Sequence, residues 1–199
     1  MLDVNFWENR YESENTPWDL AGPSPHFVAF LKQQPDFLSP GKMAVLGSGR
    51  GHDAALFAQA GFEVTGFDYA PGAITLAKEL YGPIVNFTQA DIFALANPDS
   101  IYKHAFDYVL EHTCFCAILP TQRADYVRSV ENILKPGGYL LGIFWEHNDL
   151  DGPPFRTTEA DLREAFGSGF DFISTQNQPA VAGREGIERL VLLRRKTDV

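Results

Sequence analysis

Glycine stands at alternate positions in Gly47-Ser48-Gly49-Arg50-Gly51, directly after the apolar pair Val45-Leu46, and Asp68 closes a second apolar run that begins at Val64. Glycines at this spacing let a backbone turn sharply into a helix while coming close to a ligand. A carboxylate at the end of the following strand can accept hydrogen bonds from both hydroxyls of a ribose. Together they describe half of a nucleoside-binding strand-helix-strand unit. Asp91, after a third apolar run, and Pro136-Gly137-Gly138, before a fifth, come next in chain order.

That chemistry needs strands that end where the turns begin. The apolar runs predict strands over 43–46, 63–67, 85–88, 106–110 and 139–145, with helices over 52–59, 71–80 and 122–134 between them. Pro136-Gly137-Gly138 is expected to stop the last of these helices, and a further helix over 158–166 starts with Thr158 and Asp161 in capping-box positions. The tail differs. Runs at 170–176 and 188–195 have β character with no helix between them, and they are joined through Pro179 and Gly183-Arg184-Glu185-Gly186, so they should pair antiparallel. Upstream, 3–21 reads as a helix and a turn broken at Thr16-Pro17. A second helix over 25–34 has Phe27, Phe30 and Leu31 at helical spacing and is closed by Pro35, Pro40 and Gly41. The expectation is an α/β, Rossmann-like domain with a mostly parallel seven-stranded sheet, one antiparallel edge strand and helices on both faces. A single domain over 1–199 is expected, with 1–38 as a helical cover and 40–199 as the α/β core.

Composition narrows the partners. A net charge of −10 argues against nucleic acid, whose binding rests on neutralising phosphates with Lys and Arg, and favours a small-molecule substrate. No apolar run approaches the roughly 20 residues needed to span a bilayer. The first ten residues lack the basic start and apolar core of a signal peptide, so a cytoplasmic protein with no membrane partner is expected. Cys114 and Cys116 are too close for an ordinary intrachain disulfide and have no second cysteine pair to build a metal site with, so they read as buried thiols. Sixteen phenylalanines imply well-filled cores and an aromatic-lined pocket.

The third glycine of the turn comes one place earlier than in the Gly-x-Gly-x-x-Gly of dinucleotide sites, which suits a ligand with no pyrophosphate to cradle. The spacing, the terminal hairpin and Asp68 favour S-adenosylmethionine over the competing class, a nicotinamide-dependent oxidoreductase. With Asp91 and Pro136-Gly137-Gly138 in their places, residues 40–195 resemble the class I methyltransferase fold. That resemblance implies that Gly47, Ser48 and Gly49 face the methionine and ribose of the cofactor and that Asp68 holds the ribose. It also puts Asp91-Ile92 at the adenine, the carboxylate accepting from the exocyclic amine and the isoleucine packing on the ring. The plainer alternatives make Asp68 a cap for the helix at Pro71 and Asp91 the cap of a short turn.

Three further segments resemble the thiopurine S-methyltransferase family and its halide and thiol methyltransferase relatives. They are Phe6-Trp7-Glu8-Asn9-Arg10-Tyr11 with Thr16-Pro17-Trp18-Asp19, Cys116-Ala117-Ile118 with Pro120 and Arg123, and Gly152-Pro153-Pro154-Phe155. The resemblance implies that Trp7, Tyr11 and Trp18 close over the cofactor, where aromatic faces suit a sulfonium cation and exclude water. Trp7 and Tyr11, on one helical face, equally suit a core stripe. Methyl transfer to a thiol, thiopurine, selenol or halide needs alignment more than acid-base help. Arg123 would steer an anionic acceptor or hold the cofactor's carboxylate.

Glu111-His112-Thr113, directly after the fourth predicted strand, occupies the usual place for a functional loop in an open α/β sheet. Glu111 is counted with the cofactor-binding residues and His112, with Arg123, as catalytic; His112 could take the proton of a neutral thiol. The alternative is an oxygen- or nitrogen-directed enzyme using Glu111 or His112 as base. The loop lacks the Asn/Asp-Pro-Pro-aromatic tetrad of many amino-group methyltransferases, and Gly152-Pro153-Pro154-Phe155 is expected to shape the substrate wall, flanked by His147 and Arg156. Ser48 stands where many relatives of this branch have cysteine, a change that leaves the turn intact.

Overall fold

The computed structural model describes residues 2–34, 38–149, 151–181 and 183–197. The chain forms two compact units, residues 1–92 and 93–199. Pro35, expected to close the second helix, lies outside the described residues.

In the first unit, helix α1 (Val4–Glu12) starts where the Asp3 carboxylate accepts from the Phe6 amide at 3.0 Å. Helix α2 (Pro25–Gln33) has its proline at the first helical position, where the missing amide proton is not needed. Strand β1 (Lys42–Leu46) buries every residue after its exposed first lysine, as a strand covered on both faces must. Helix α3 (His52–Gln59), strand β2 (Glu63–Asp68), helix α4 (Pro71–Tyr81) and strand β3 (Asn86–Gln89) come next. β1 pairs parallel with β2, and β2 with β3. Phe57 packs edge-on to Phe27 and Phe62, both at 5.6 Å between centroids, tying α2 to α3.

The second unit contains strand β4 (Phe106–His112), helix α5 (Arg123–Ile133), strand β5 (Leu134–Glu146), helix α6 (Glu159–Phe166), strand β6 (Phe170–Pro179) and strand β7 (Ile187–Arg195). The expected capping box is present: the Asp161 amide donates to the Thr158 hydroxyl while the Asp161 carboxylate accepts from the Thr158 amide at 2.7 Å. Several boundaries differ from expectation: β6 runs on through Pro179, expected in the joining loop, and two others change the site's surroundings. β4 runs on through Glu111 and His112, which are strand residues rather than the start of a loop. β5 begins at Leu134, immediately after α5, so Pro136-Gly137-Gly138 lies inside the strand. Pro136 pushes the preceding residue out of helical conformation, and the register between Phe106↔Leu134 and Tyr108↔Tyr139 absorbs the three residues as a bulge.

The strand order is β3-β2-β1-β4-β5-β7-β6. β7 runs antiparallel to both β5 and β6, so the terminal hairpin supplies the antiparallel edge with the reversed strand inside and β6 outermost. The phenylalanine-rich core is most evident here. Phe115 meets Tyr126, Phe144 and Phe166 at 5.3, 5.6 and 5.6 Å, and Phe166 meets Phe170 at 5.5 Å. Among the described residues no helix is long and apolar enough to cross a membrane.

Candidate active site

The glycine turn hangs from the end of β1 and is stitched to its neighbour by backbone bonds, Ser48 N–H to the Phe67 carbonyl at 2.8 Å and Gly51 N–H to the Ser48 carbonyl at 2.9 Å. Gly47, Gly49 and Gly51 all take left-handed conformations, with φ of 62, 53 and 83°. Asp68 closes β2 and grips two stretches of backbone: Oδ2 accepts from Gly49 N–H at 2.8 Å and Oδ1 from Ala70 N–H at 3.0 Å. Burial raises its carboxyl above the ordinary range, and these amide hydrogen bonds oppose the rise. The Tyr69 amide also bonds the carboxylate, and of its about four lone-pair sites at least one is left for a ligand hydroxyl. The Ala90 amide donates to the Asp68 carbonyl at 2.9 Å, so Asp91 and Ile92 leave from the neighbouring strand end. Ile92 is buried and opens a short 3-10 turn. The Ser48 hydroxyl is buried against Gly66, where an added Cβ would lie 2.9 Å from it. Ser48 therefore offers the turn its backbone rather than its side chain.

The three aromatics of the N-terminal segment gather beside this turn. Trp18 packs edge-on to Trp7 at 5.7 Å and to Tyr11 at 6.0 Å, and its indole N–H donates to the Tyr11 hydroxyl. Tyr11 is buried against Ala70 and Ala73, with Trp7 and Trp18 packed on the same cluster. Burial, and next the Asp68 charge, push the Tyr11 hydroxyl well above its usual range, so it stays protonated. A Cβ built on Gly49 would sit 3.4 Å from that hydroxyl. A side chain at 49 would thus touch the aromatic cluster at ordinary contact distance and, beyond its chain neighbours, meet no other atom of the described residues within 4 Å, so the turn has free space around Gly49. Both the core and the cover readings of Trp7 and Tyr11 rest on the same packing. Sequence reasoning passed over Glu8, Asp19, Arg50 and His52, which tie the segment down: the Gly72 amide donates to Glu8 at 2.8 Å, and Asp19 lies 2.7 Å from Arg50 and 3.4 Å from His52. The charge that ends Thr16-Pro17-Trp18-Asp19 was the one signal for them in the sequence.

In the second unit the end of β4 is built around a buried carboxyl. Glu111 is fully buried, with Oε1 accepting from Phe115 N–H at 2.9 Å and Oε2 accepting from the Tyr126 hydroxyl at 2.5 Å. Desolvation pushes its pKa up to about 7. No local pattern in the sequence marks Tyr126 as its partner. His112, the last residue of β4, has its Nε2 buried, and Thr113 beyond it has a φ of 62° and donates back to the His112 carbonyl at 2.7 Å. Cys116 is buried, and burial pushes its thiol up to about 12, so it is no nucleophile at neutral pH. Its carbonyl accepts from the Phe155 amide at 2.6 Å, which pins the Gly152-Pro153-Pro154-Phe155 loop to the segment after β4.

Arg123 is neither solvated nor free to sweep. Its guanidinium donates to the Arg156 carbonyl at 2.9 Å and the Thr157 hydroxyl at 3.1 Å, lies 4.8 Å over the Phe115 ring, and is 12% exposed. His147 is also buried, its ring tilted against Trp145 at 4.6 Å between centroids, and burial holds its imidazole below the usual range. Among the described residues no three His, Cys, Asp or Glu side chains gather as a metal site would require.

The model of the thiopurine S-methyltransferase family matches residues 2–191. The chain belongs to that family. Thiocyanate methyltransferase 1 of Arabidopsis thaliana is 32% identical over 192 residues, spanning 92% of this chain and 82% of its own length. Thiopurine S-methyltransferase of Vibrio cholerae serotype O1 is 26% identical over 179 residues, spanning 83% and 82%. The solved structure of Burkholderia thailandensis 1,6-didemethyltoxoflavin-N1-methyltransferase, with bound S-adenosylhomocysteine, has a TM-score of 0.73 at 24% identity and covers 98% of this chain and 87% of its own, which shows the shared fold. The protein is an S-adenosylmethionine-dependent methyltransferase. The free space around Gly49, the Asp68 carboxylate at the strand end and the adjoining aromatic cluster fit that cofactor.

Proposed function

We propose that this methyltransferase delivers a methyl group in line to a small soft nucleophile, a thiol, thiopurine, selenol or halide. S-adenosylmethionine, when bound, supplies an electrophilic methyl on a sulfonium whose departure leaves a neutral thioether. In the first unit, the backbone of Gly47, Ser48 and Gly49 lies along the methionine and ribose, Asp68 accepts from the ribose, and Asp91 and Ile92 hold the adenine. Trp7, Tyr11 and Trp18 cover the sulfonium and keep water out. In the second unit, His112 and Arg123 serve the acceptor: Arg123 keeps a permanent positive charge beside the Cys116 segment while holding the 152–157 loop in shape, and His112 receives a proton when the acceptor arrives as a neutral thiol. The chain works as a single catalytic domain in the cytoplasm, on a small molecule rather than a nucleic acid.

The observation that carries the preference for a soft acceptor is Glu111. A carboxyl with both oxygens engaged inside the protein is poorly placed to be the base that an oxygen or nitrogen acceptor would need. The names of the relatives, which specify thiocyanate and thiopurine, support the same class. Calorimetry with S-adenosylhomocysteine tests the cofactor half; absence of heat at high micromolar ligand with folded protein refutes it. Turnover of iodide, hydrosulfide, small thiols and thiopurines, read as S-adenosylhomocysteine formed, tests the acceptor half. Replacing Glu111 and His112 together would abolish turnover of an oxygen or nitrogen acceptor and leave most of the reaction with a pre-ionised soft anion.

A further inference from the structure

The N-terminal segment is attached to the glycine turn by charge as well as by its aromatic packing. Asp19 comes directly after Trp18. Its own backbone is immobilised, with its amide donating to the Thr16 carbonyl at 2.9 Å and its Oδ1 accepting from the Ala21 amide at 2.8 Å. From that fixed position Oδ2 reaches Arg50 Nε at 2.7 Å and Oδ1 lies 3.4 Å from His52 Nε2. Arg50 sits between Gly49 and Gly51 in the turn itself, and His52 opens α3 with its Nδ1 2.9 Å from the Tyr81 hydroxyl at the far end of α4. The Arg50 and His52 nitrogens are not aligned as hydrogen bonds to Asp19, so the contact is coulombic. With Asp19 at 17% and Arg50 at 28% exposure, the pair is shielded enough to count yet wet enough to respond to salt.

We propose that Asp19 is a positioning residue whose ion pair with Arg50 latches the Trp18 segment onto the glycine turn and thereby sets how tightly and how long the cofactor is held. This rests on the reading of Trp7, Tyr11 and Trp18 as the cofactor's cover. Trp18 is one residue from the latch, so releasing Asp19 frees the ring that bridges Trp7 and Tyr11. Glu8 grips α4 through Gly72 on the other side of the same aromatic cluster, so loss of Asp19 loosens one end of the segment and leaves the other attached.

The test measures S-adenosylhomocysteine affinity by calorimetry and its release rate by tryptophan fluorescence in wild type, Asp19→Asn, Arg50→Gln and the charge-reversed pair Asp19→Arg with Arg50→Asp. Asp19→Asn is expected to weaken binding about fivefold, the scale of one partly shielded ion pair, through faster release. The KM for the acceptor and kcat at saturating cofactor should move by less than about twofold, since the latch acts on cofactor retention and not on the reacting atoms. Raising salt should weaken wild type toward Asp19→Asn and leave that variant unchanged. The reversed pair should recover at least part of the lost affinity. Wild-type affinity and release in Asp19→Asn overturn the proposal, as does a reversed pair that binds no better than Asp19→Asn and Arg50→Gln while all remain folded by circular dichroism. Trp18→Ala separates this from the cover reading: if that variant binds S-adenosylhomocysteine as wild type does, the cover itself fails; if it binds weakly while Asp19→Asn does not, only the latch fails.

Discussion

The two acidic centres of this methyltransferase, Asp68 in the first unit and Glu111 in the second, both stand at strand ends and are used in opposite ways. Asp68 accepts from the backbone amides of Gly49, Tyr69 and Ala70, stays 8% exposed, and keeps some acceptor capacity for a ligand. Glu111 is closed off, bonded to Phe115 N–H and to the Tyr126 hydroxyl, and holds its proton up to about pH 7. Around Asp68 the partners are partly wet ion pairs and an aromatic segment laid on from the N-terminus. Around Glu111 they are buried phenylalanines and a loop pinned by Arg123. The side proposed to hold the cofactor is therefore built from contacts that water and salt can reach, while the side proposed to meet the acceptor is built to keep one shape.

This contrast is most exposed to refutation at Asp68. Asp68→Ala removes both the staple on Gly49 and the proposed ribose acceptor, and calorimetry should show S-adenosylhomocysteine binding weakened by about a hundredfold or more, as expected for two or more charge-assisted hydrogen bonds. Retained binding would mean that Asp68 only shapes the turn.

At Glu111 the effect falls on stability, and its sign comes from the raised carboxyl. The folded state holds the proton from the ordinary 4.5 up to about 7, so this contribution to stability is full below about 4.5, declines between those values and is gone above. Glu111→Gln, which cannot titrate, should therefore gain on wild type as pH rises from about 5 to 8, by roughly 3 kcal/mol at most in urea unfolding. A difference between the two that does not change with pH would show that Glu111 is ionised in the folded protein.

Gly49→Ala probes the turn's left-handed backbone. The new Cβ makes only ordinary contact with the Tyr11 hydroxyl at 3.4 Å, but a φ of 53° should strain the turn by about 1–2 kcal/mol and weaken cofactor binding about tenfold. The smallest effect is expected at Arg123→Lys. A lysine ammonium sits on a shorter side chain and lacks the planar guanidinium that lies over Phe115, so it should hold Arg156 and Thr157 less well; the acceptor KM should rise about threefold to tenfold with cofactor affinity unchanged, the loss of roughly one hydrogen bond.

Residues whose role depends on local spacing were legible. The Gly47–Gly51 turn, Asp68 at a strand end, the Thr158-Asp161 capping box and the antiparallel hairpin all announce themselves within a few residues, because turn conformation, capping and alternation are local physics. The strand that swallowed Pro136-Gly137-Gly138 was not legible. Those residues ordinarily end elements, and only pairing with β4 makes a bulge tolerable there. Glu111 and His112 were found as residues and misplaced as a loop, since the apolar run fades at Leu110 while the ladder with β5 continues to His112.

The order of strands and helices, the glycine turn, the acidic residue beside it and the aromatic segment ahead of it were all written in the chain. Each comes from patterns a few residues long. Folding had to supply the rest: that Tyr126 satisfies Glu111, that Arg123 holds the 156–157 backbone, that the Ser48 hydroxyl faces inward, and that Asp19 finds Arg50. These are pairings between segments far apart in the chain. Nothing in the spacing of one partner specifies the other until burial removes water as the competing hydrogen-bond and charge partner.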